Sequence, residues 1–411
     1  MTPMTITLWD FTWYTQSGPN GPFHDLDAAF RQAVERGYDT VRICAMPYLL
    51  FGSGLDTSAL TFTGLGGGYG QRMRWYDVAE PATVDGRGWL LELFRAAARH
   101  DCRVIVSSWE YQQSPSFLAD ESWYRALRAV PPVERPAALA DALADLVDLL
   151  KAGGLDDRVA YVELHNEVQH SGLARDLGVG VLGLREPLER GIDRFKARHP
   201  GVPVTANYAR VPVGEMRGLP RNADVAVFHP YVYGVLGQLV DEFALRDTTR
   251  PYPQERAYRE LLRDGAPPLG DWHPEGADGW KLDATVVPQR EVYTHDWCDP
   301  DRWDRWLYDR YGEHRRAMAA TLDTWIAVAA DFAAQRGIPL VFGEGWVGYT
   351  PLHATFEEGP VGAAICEYAV RAARAAGAWG TVVCSNAAPQ HPMWQDVALQ
   401  RRLNDEFREA R

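Results

Sequence analysis

The chain has 411 residues, enough for two or three domains of ordinary size or for one large α/β barrel with insertions. Apolar residues make up 46% of the chain and charged residues 24%, which allows a large core and excludes wholesale disorder. The 55 acidic and 42 basic residues give a net charge of −13. With no basic tract to offset this charge, we expect no nucleic-acid partner and no attraction to an anionic membrane.

One pattern recurs along the chain. An amphipathic segment with helical spacing ends at a glycine, and a short run of β-branched residues follows, as in residues 26–37 and 40–44. The predicted strands are residues 6–10, 40–44, 104–106, 159–164, 204–206, 225–228, 340–342 and 381–383. They are continuously apolar, which is typical of parallel strands buried on both faces. Eight such βα units predict fold class α/β, with a single (β/α)8 TIM barrel over residues 1–411.

Two long segments exceed what the barrel itself needs. Residues 45–85, after the second strand, are rich in glycine and aromatic side chains, and residues 229–300, after the sixth, carry many prolines. Both follow the C-terminal end of a strand, the face on which barrel enzymes build their active sites. We interpret them as inserted loops that wall the site, with simple surface loops as the alternative.

Targeting signals and cofactor motifs are not evident in the sequence. No apolar run has the length needed to span a bilayer, and residues 1–9 lack the basic and apolar regions of a signal peptide. We therefore expect a cytoplasmic protein. The five cysteines are odd in number and lack the close spacing of a zinc or redox site. We expect neither a cofactor nor a metal.

Two predicted strands lead directly into carboxylates. The fourth runs into His165-Asn166-Glu167 and the seventh into Gly343-Glu344. A carboxylate at the end of a buried strand is costly to desolvate unless it is paired or used. One alone fits a structural ion pair, whereas two that face each other across a barrel form the pair needed to cleave a glycosidic bond. We therefore interpret Glu167 and Glu344 as catalytic.

At these residues the sequence resembles the clan A glycoside hydrolases, and within them the cellulase-like proteins related to glycoside hydrolase family 5. In that clan the acid/base glutamate follows an asparagine at the end of strand four, as in Asn166-Glu167, and the nucleophilic glutamate ends strand seven, as Glu344 does. The resemblance implies a retaining glycosidase that works through a covalent glycosyl-enzyme intermediate.

Further positions match the family 5 pattern. Arg42 ends the second strand, where relatives hold an arginine beside the nucleophile, and His229-Pro230-Tyr231 is similar to a His-x-Tyr around the reacting sugar. The resemblance implies that Arg42 lowers the pKa of Glu344, that Tyr231 orients it, and that Asn166 binds the sugar 2-hydroxyl. A buried salt bridge for Arg42 and an ordinary loop histidine for His229 remain alternatives.

Two strand ends depart from that pattern. The eighth strand ends in Cys384-Ser385-Asn386, where the family commonly has a tryptophan under the sugar, and the third ends in Ser108-Trp109-Glu110 instead of the usual histidine. Aromatic faces stack on sugar rings, so Trp109 and Trp346 are the predicted platforms, with core packing as the alternative for each. Asn386 is a candidate substrate ligand. Glu110 is a rival carboxylate that could bind sugar hydroxyls or pair with a basic residue.

The sequence therefore predicts a retaining glycoside hydrolase acting on a glycoside or a short oligosaccharide, with that carbohydrate as its partner. Two alternatives stay open. One is a catalytically inactive, cellulase-like sugar-binding barrel, which the unusual third and eighth strand ends would suit. The other is a transglycosylase, which shares the covalent intermediate and differs in the acceptor. The sugar, its linkage and the oligomeric state are not determined by the sequence.

Overall fold

A ring of parallel strands forms the centre of the molecule. The computed structural model describes residues 2–74, 76–274 and 276–409. The strands of the ring are Met4–Asp10, Thr40–Cys44, Arg103–Ser107, Val159–Glu163, Val204–Thr205, Asn207–Ala209, Ala226–His229, Leu340–Phe342 and Gly380–Val382. Neighbouring strands pair in parallel throughout, and the first strand pairs with both the second and the last. Each predicted strand therefore exists, with ends that differ by a few residues at most.

The ring closes through the fifth barrel strand. Val204–Thr205 pairs with the fourth strand, and Asn207–Ala209 pairs with the sixth. Only Ala206 separates these two pieces, so they act as one strand that changes partner along its length. The predicted (β/α)8 TIM barrel is confirmed.

Helices surround the barrel and begin and end where local sequence signals favour it. Asp25 caps the first of the long helices by accepting a hydrogen bond from Ala28 N at 2.9 Å, and Gly337, in the left-handed region at φ 65°, ends the longest. The helices are Thr12–Thr15, Leu26–Glu35, Gly86–Arg99, Ser122–Ala129, Arg135–Ala152, Gly172–Arg175, Val181–Arg198, Val235–Glu242, Gln254–Glu260, Trp280–Asp283, Gln289–Trp297, Pro300–Arg336, Pro360–Ala375 and Val397–Arg408.

The apolar core has two parts. The smaller lies inside the barrel and consists chiefly of branched side chains, among them Ile6, Ile105, Val227, Val341 and Val382. The larger fills the space between the strands and the surrounding helices. Because both faces of the strands are covered, their apolar runs are continuous, as the sequence pattern indicated. The five cysteines are all buried and free.

Both long segments reach the C-terminal mouth of the barrel. Residues 45–85 contain a π-helical turn, Tyr48–Gly52, and residues 229–300 contain four of the helices. Arg74 from the first segment and Glu291 from the second line the cavity described below. A short antiparallel hairpin, Leu60–Phe62 with Ala82–Val84, also belongs to the first. The exact bounds of the insertions stay a prediction.

The helix Pro300–Arg336 is the one feature at odds with the expected absence of membrane-length segments. Its 37 residues include a window whose length and mean hydropathy of 1.2 would suffice to cross a membrane. Its buried residues, such as Leu307, Leu322 and Ala329, recur along the helix, and the helix contacts the sixth and seventh barrel strands. Packing against the barrel accounts for the buried residues, which make up 28% of that window.

Candidate active site

A cavity of about 430 Å³ opens at the C-terminal ends of the barrel strands. Residues at the ends of seven of the eight strands line it: Asp10, Trp109, Asn166, Glu167, Ala209, Arg210, His229, Glu344 and Ser385. This volume lies in the range of small-molecule sites, and the position is the one that barrel enzymes use. The cavity is therefore the candidate active site.

Glu167 and Glu344 face each other in this cavity although 177 positions separate them along the chain. A carboxylate oxygen of each and a ring nitrogen of His229 all lie within 4.8 Å of one another. Glu167 sits in the left-handed region, at φ 43° and ψ 56°, which costs a non-glycine residue of order 1–3 kcal/mol. Its backbone N–H donates to Asn207 Oδ1 at 2.6 Å, which helps to hold this conformation.

Arg42 lies directly behind the pair and is fully buried. Its Nη1 donates to Glu344 Oε1 at 2.6 Å, while Nε and Nη2 donate to Glu163 Oε2 at 3.0 and 2.6 Å. Nη2 also donates to Asn166 Oδ1 at 2.7 Å. One guanidinium thus pairs with two carboxylates, and these ion pairs and hydrogen bonds offset part of the cost of burying the charges. The two interpretations of Arg42, a salt bridge and a partner of Glu344, are both correct.

The surroundings of Glu344 keep it ionised. Burial alone would raise its pKa, but the positive charges of His229 and Arg42 and the hydrogen bonds it accepts outweigh burial, so its pKa lies below the ordinary value. One of those bonds comes from the Tyr231 hydroxyl, which donates to Glu344 Oε2 at 2.7 Å. An ionised carboxylate with a fixed orientation is the form required of a nucleophile.

His229 stands between the two glutamates. Its Nδ1 lies 3.3 Å from Glu167 Oε1 and 3.5 Å from Glu344 Oε1. Since ionised carboxylates only accept hydrogen bonds, Nδ1 carries the proton in that state. These three groups also have the spacing of metal ligands, but the guanidinium of Arg42 already supplies positive charge to Glu344.

A chain of amides links the glutamates on the other side. Asn166 Nδ2 donates to Gln112 Oε1 at 2.8 Å, and Gln112 Nε2 donates to Glu167 Oε2 at 3.2 Å. Because Asn166 is also bound by Arg42, the positions of both carboxylates depend on one connected network. Gln112 follows the third strand and takes a place that sequence reasoning did not assign.

The structure brings most of the predicted site residues together. Six line the cavity: Trp109, Asn166, Glu167, His229, Tyr231 and Glu344. Arg42 contacts Glu344 from below. Trp346 and Asn386 do not line the cavity and are fully buried. The indole of Trp346 donates to Val382 O at 3.3 Å and packs on Phe342. Of the two tryptophans predicted as platforms, Trp109 lines the cavity and Trp346 does not; stacking of a sugar on Trp109 stays a prediction.

Ser385, not an aromatic side chain, ends the eighth strand at the cavity. Its Oγ lies 2.6 Å from the Tyr231 hydroxyl and accepts a hydrogen bond from Gly345 N at 2.9 Å. A small hydroxyl here fixes Tyr231, and it leaves open the space that a tryptophan would fill. Asn386 turns away, where its Oδ1 accepts from the Cys384 thiol at 2.5 Å.

Glu110 is a structural residue and lies outside the main cavity. It accepts hydrogen bonds from Leu49 N and from the Ser108 hydroxyl, each at 2.7 Å. It therefore anchors the turn that begins the first inserted segment. Burial raises the pKa of Glu110 to about 7 from its ordinary 4.5, although both hydrogen bonds oppose the shift.

This raised pKa predicts a pH-dependent stability effect for Glu110→Gln. A carboxyl that binds its proton more tightly when folded stabilises the protein fully below its unfolded pKa of 4.5, and this stabilisation is lost as the pH rises through about 7. Glutamine does not titrate. The melting temperature of the variant minus that of wild type should therefore become more positive between about pH 5 and pH 8. A difference that is constant or falls with pH would contradict this account of Glu110.

Several cavity residues were not found from the sequence. Asp10 and Ser385 end strands, so their position was visible although no chemistry pointed to them. Arg74 and His391 come from loops, and Glu291 from the helix Gln289–Trp297 of the second inserted segment; none of them belongs to a motif. Arg246 of the same segment pairs there with Glu291 at 2.8 Å, and a tertiary contact of this kind leaves no signal in one sequence.

The closed barrel, with glutamates at the ends of its fourth and seventh strands, is the architecture of a cellulase-like protein. A family model described as sugar-binding cellulase-like matches residues 6–222 and 284–408, well over half of the chain. The chain belongs to this cellulase-like family. No curated protein sequence matches the chain.

The chain is similar to several solved structures, one of which shares the fold at a TM-score above 0.5. A candidate glycoside hydrolase from Parabacteroides distasonis superposes with a TM-score of 0.70 at 18% identity, covering 99% of this chain and 94% of that one. An exo-β-1,4-mannosidase from Opitutaceae bacterium strain TAV5 superposes with a TM-score of 0.46 at 14% identity, and the match covers 97% of this chain and 55% of the mannosidase. An endo-β-1,4-mannanase from Thermotoga petrophila superposes with a TM-score of 0.48 at 12% identity, and the match covers 99% of this chain and 77% of the mannanase. This chain thus spans about half the length of the mannosidase.

Proposed function

We propose that the protein is a retaining glycoside hydrolase in which Glu344 is the nucleophile and Glu167 the acid/base. The observation that carries this proposal is that one carboxylate oxygen of Glu167 lies within 4.8 Å of one carboxylate oxygen of Glu344 in the same cavity. Retaining enzymes hold their carboxyl groups about 5–5.5 Å apart, whereas inverting enzymes need about 6.5–9.5 Å to admit a water molecule. The short separation favours the retaining mechanism.

The first step transfers the sugar to Glu344. Its ionised carboxylate attacks the anomeric carbon while the bond to the leaving oxygen breaks, and Glu167 donates its proton to that oxygen. Arg42 and Tyr231 orient the attacking carboxylate through the hydrogen bonds described above. Asn166, fixed by Arg42 and Gln112, is positioned for the sugar 2-hydroxyl, a contact that strengthens in the transition state.

The second step releases the sugar. Glu167, now ionised, removes a proton from water as the water oxygen attacks the anomeric carbon, and the ester bond to Glu344 breaks. A sugar hydroxyl in place of water would give transglycosylation with the same residues. The substrate we propose is a glycoside or short oligosaccharide, with Trp109 stacking on a sugar ring at the cavity wall.

A second candidate, a sugar-binding barrel without turnover, is favoured by the family description and by Ser385 in place of the usual tryptophan. Turnover separates the two candidates. We expect release of nitrophenol from at least one member of a panel of 4-nitrophenyl glycosides of glucose, mannose and galactose in both anomeric forms. Sugar binding measured by calorimetry with no turnover of any member would support the second candidate and contradict the first.

A further inference from the structure

The cavity has a polar wall that the proposed mechanism does not use. Asp10, at the end of the first strand, and His391, in the loop after the eighth, both line the cavity and are only 8% and 4% exposed. Arg74 lines the same side and is held by an ion pair with the buried Glu357. None of these residues contacts Glu167 by a hydrogen bond, so none is needed to position the acid/base.

The two side chains have unused hydrogen-bonding capacity. Both hydrogen bonds to Asp10 come from Thr12, its backbone N–H and its hydroxyl, and both reach Oδ1. Among the described residues, Nδ1 of His391 is buried with no hydrogen-bond partner, and both hydrogen bonds to Asp10 reach Oδ1, which leaves Oδ2 available to a ligand. Buried polar groups in folded proteins are nearly always paired, so unpaired ones at a cavity wall point to a ligand.

The chemistry of the wall fits hydroxyl groups. Burial and the charge of Arg74 lower the pKa of His391 well below its ordinary value, so its ring is neutral and offers one donor and one acceptor. Burial raises the pKa of Asp10 to about 7, which leaves it able to donate or accept near neutral pH. Because Glu357 pairs with Arg74, the wall formed by these described residues has no unpaired positive charge that would favour binding of an anionic sugar.

Barrel geometry places this wall at the far end of the reacting sugar. Strands one and eight are neighbours and stand across the ring from strands four and five, which carry Glu167 and Arg210. The leaving group must approach Glu167, because that residue protonates it. The opposite end of the same sugar therefore points toward Asp10 and His391.

We propose that Asp10 and His391 bind the terminal hydroxyl groups of the glycone, so that the cavity accepts one neutral sugar residue from the non-reducing end. This inference rests on the proposed function and deepens it, since it names exo-action and two specificity-determining residues. Asp10 holds its position in the left-handed region at φ 47°, fixed by its contacts with Thr12.

The test compares Asp10→Asn and His391→Phe with matched controls, Asp304→Asn and His199→Phe. Asp304 is also 8% exposed and accepts from the backbone N–H and hydroxyl of a threonine, Thr355, but lies outside the cavity. His199 is likewise buried, 8% exposed against 4% for His391, and contacts Ala144 O outside the cavity. Each variant is assayed on the best 4-nitrophenyl glycoside and on its 3-, 4- and 6-deoxy analogues, with calorimetric binding of the free monosaccharide as a second measurement.

We expect each cavity variant to lower kcat/KM on the parent glycoside by about 10- to 100-fold, the effect of one hydrogen bond to a charged or buried group. The loss should be much smaller on the deoxy analogue that lacks the contacted hydroxyl. The control variants should change kcat/KM neither on the parent glycoside nor on its deoxy analogues. Monosaccharide affinity should fall in parallel, and the nitrophenyl glycoside of a disaccharide should not release nitrophenol directly.

Wild-type turnover with unchanged kcat/KM and sugar affinity in both cavity variants would overturn the inference and leave the proposed function standing. Direct release of nitrophenol from the disaccharide glycoside would also overturn exo-action and leave the proposed hydrolase function standing. If wild type binds the monosaccharide but turns over no glycoside, and both cavity variants lose this affinity, the sugar-binding role of Asp10 and His391 would be supported and the proposed hydrolase function contradicted. A wild type that neither binds nor hydrolyses these sugars would overturn both.

Discussion

Glu344→Gln is expected to lower kcat by on the order of 10⁴–10⁶-fold, the usual cost of removing a nucleophile. Glutamine keeps the size of the side chain: its carbonyl oxygen can accept from Arg42 Nη1, and its NH2 group can donate to the Tyr231 oxygen, so the network around it largely persists. It cannot form the glycosyl ester. The measurement is steady-state hydrolysis of the best nitrophenyl glycoside, with the melting temperature recorded as a check on folding.

Glu110→Gln is the matched control for this variant. Glu110 is equally a buried glutamate, 2% exposed against 6% for Glu344, but it holds a turn instead of lining the cavity. Its replacement should leave kcat within a few-fold of wild type. A folded Glu344→Gln protein that retained more than about a tenth of the wild-type kcat would show that Glu344 is not the nucleophile.

Glu167→Gln should have an effect that depends on the leaving group. General acid catalysis contributes about 10²–10⁴-fold, so we expect a kcat/KM loss of that size on a methyl glycoside, whose leaving oxygen needs a proton. A 2,4-dinitrophenyl glycoside leaves without protonation and should lose far less in the first step. The two substrates compared on the same variant form an internal control for misfolding.

Azide provides a further check on this assignment. With the carboxylate of Glu167 removed, a small anion can enter the cavity beside His229 and attack the glycosyl intermediate, giving a glycosyl azide and a faster second step. Equal losses on both leaving groups, with no azide effect, would contradict the acid/base role of Glu167. Glu344→Gln should show no such rescue through a covalent intermediate.

The barrel could be predicted because its strands and helices each leave a characteristic pattern of apolar residues in the sequence. Strands buried on both faces must be continuously apolar, and helices that pack on them need one apolar face closed by a turn. The strand Thr40–Cys44 and the helix Leu26–Glu35 follow these rules. Glu167 and Glu344 were visible for the same reason, since each interrupts the apolar pattern where a strand ends.

Residues that act through tertiary contact could not be predicted so directly. Glu163 lies within an apolar strand and has its partner, Arg42, 121 positions away. His391 and Arg74 belong to loops, whose course depends on contacts that one sequence does not reveal. Trp346 was misplaced because proximity to Glu344 along the chain does not fix which way a side chain points. Its indole is buried against Phe342, and Trp109 lines the cavity instead.

The central claim is that Glu344 becomes covalently bonded to the sugar. The most direct measurement is mass spectrometry of the protein after incubation with an activated 2-fluoro-glycoside of the preferred sugar, followed by peptide mapping. We predict one added fluoroglycosyl group, on the peptide that contains Glu344, and its absence from Glu344→Gln. A wild type that hydrolyses glycosides but forms no adduct, or forms one on another residue, would contradict the account.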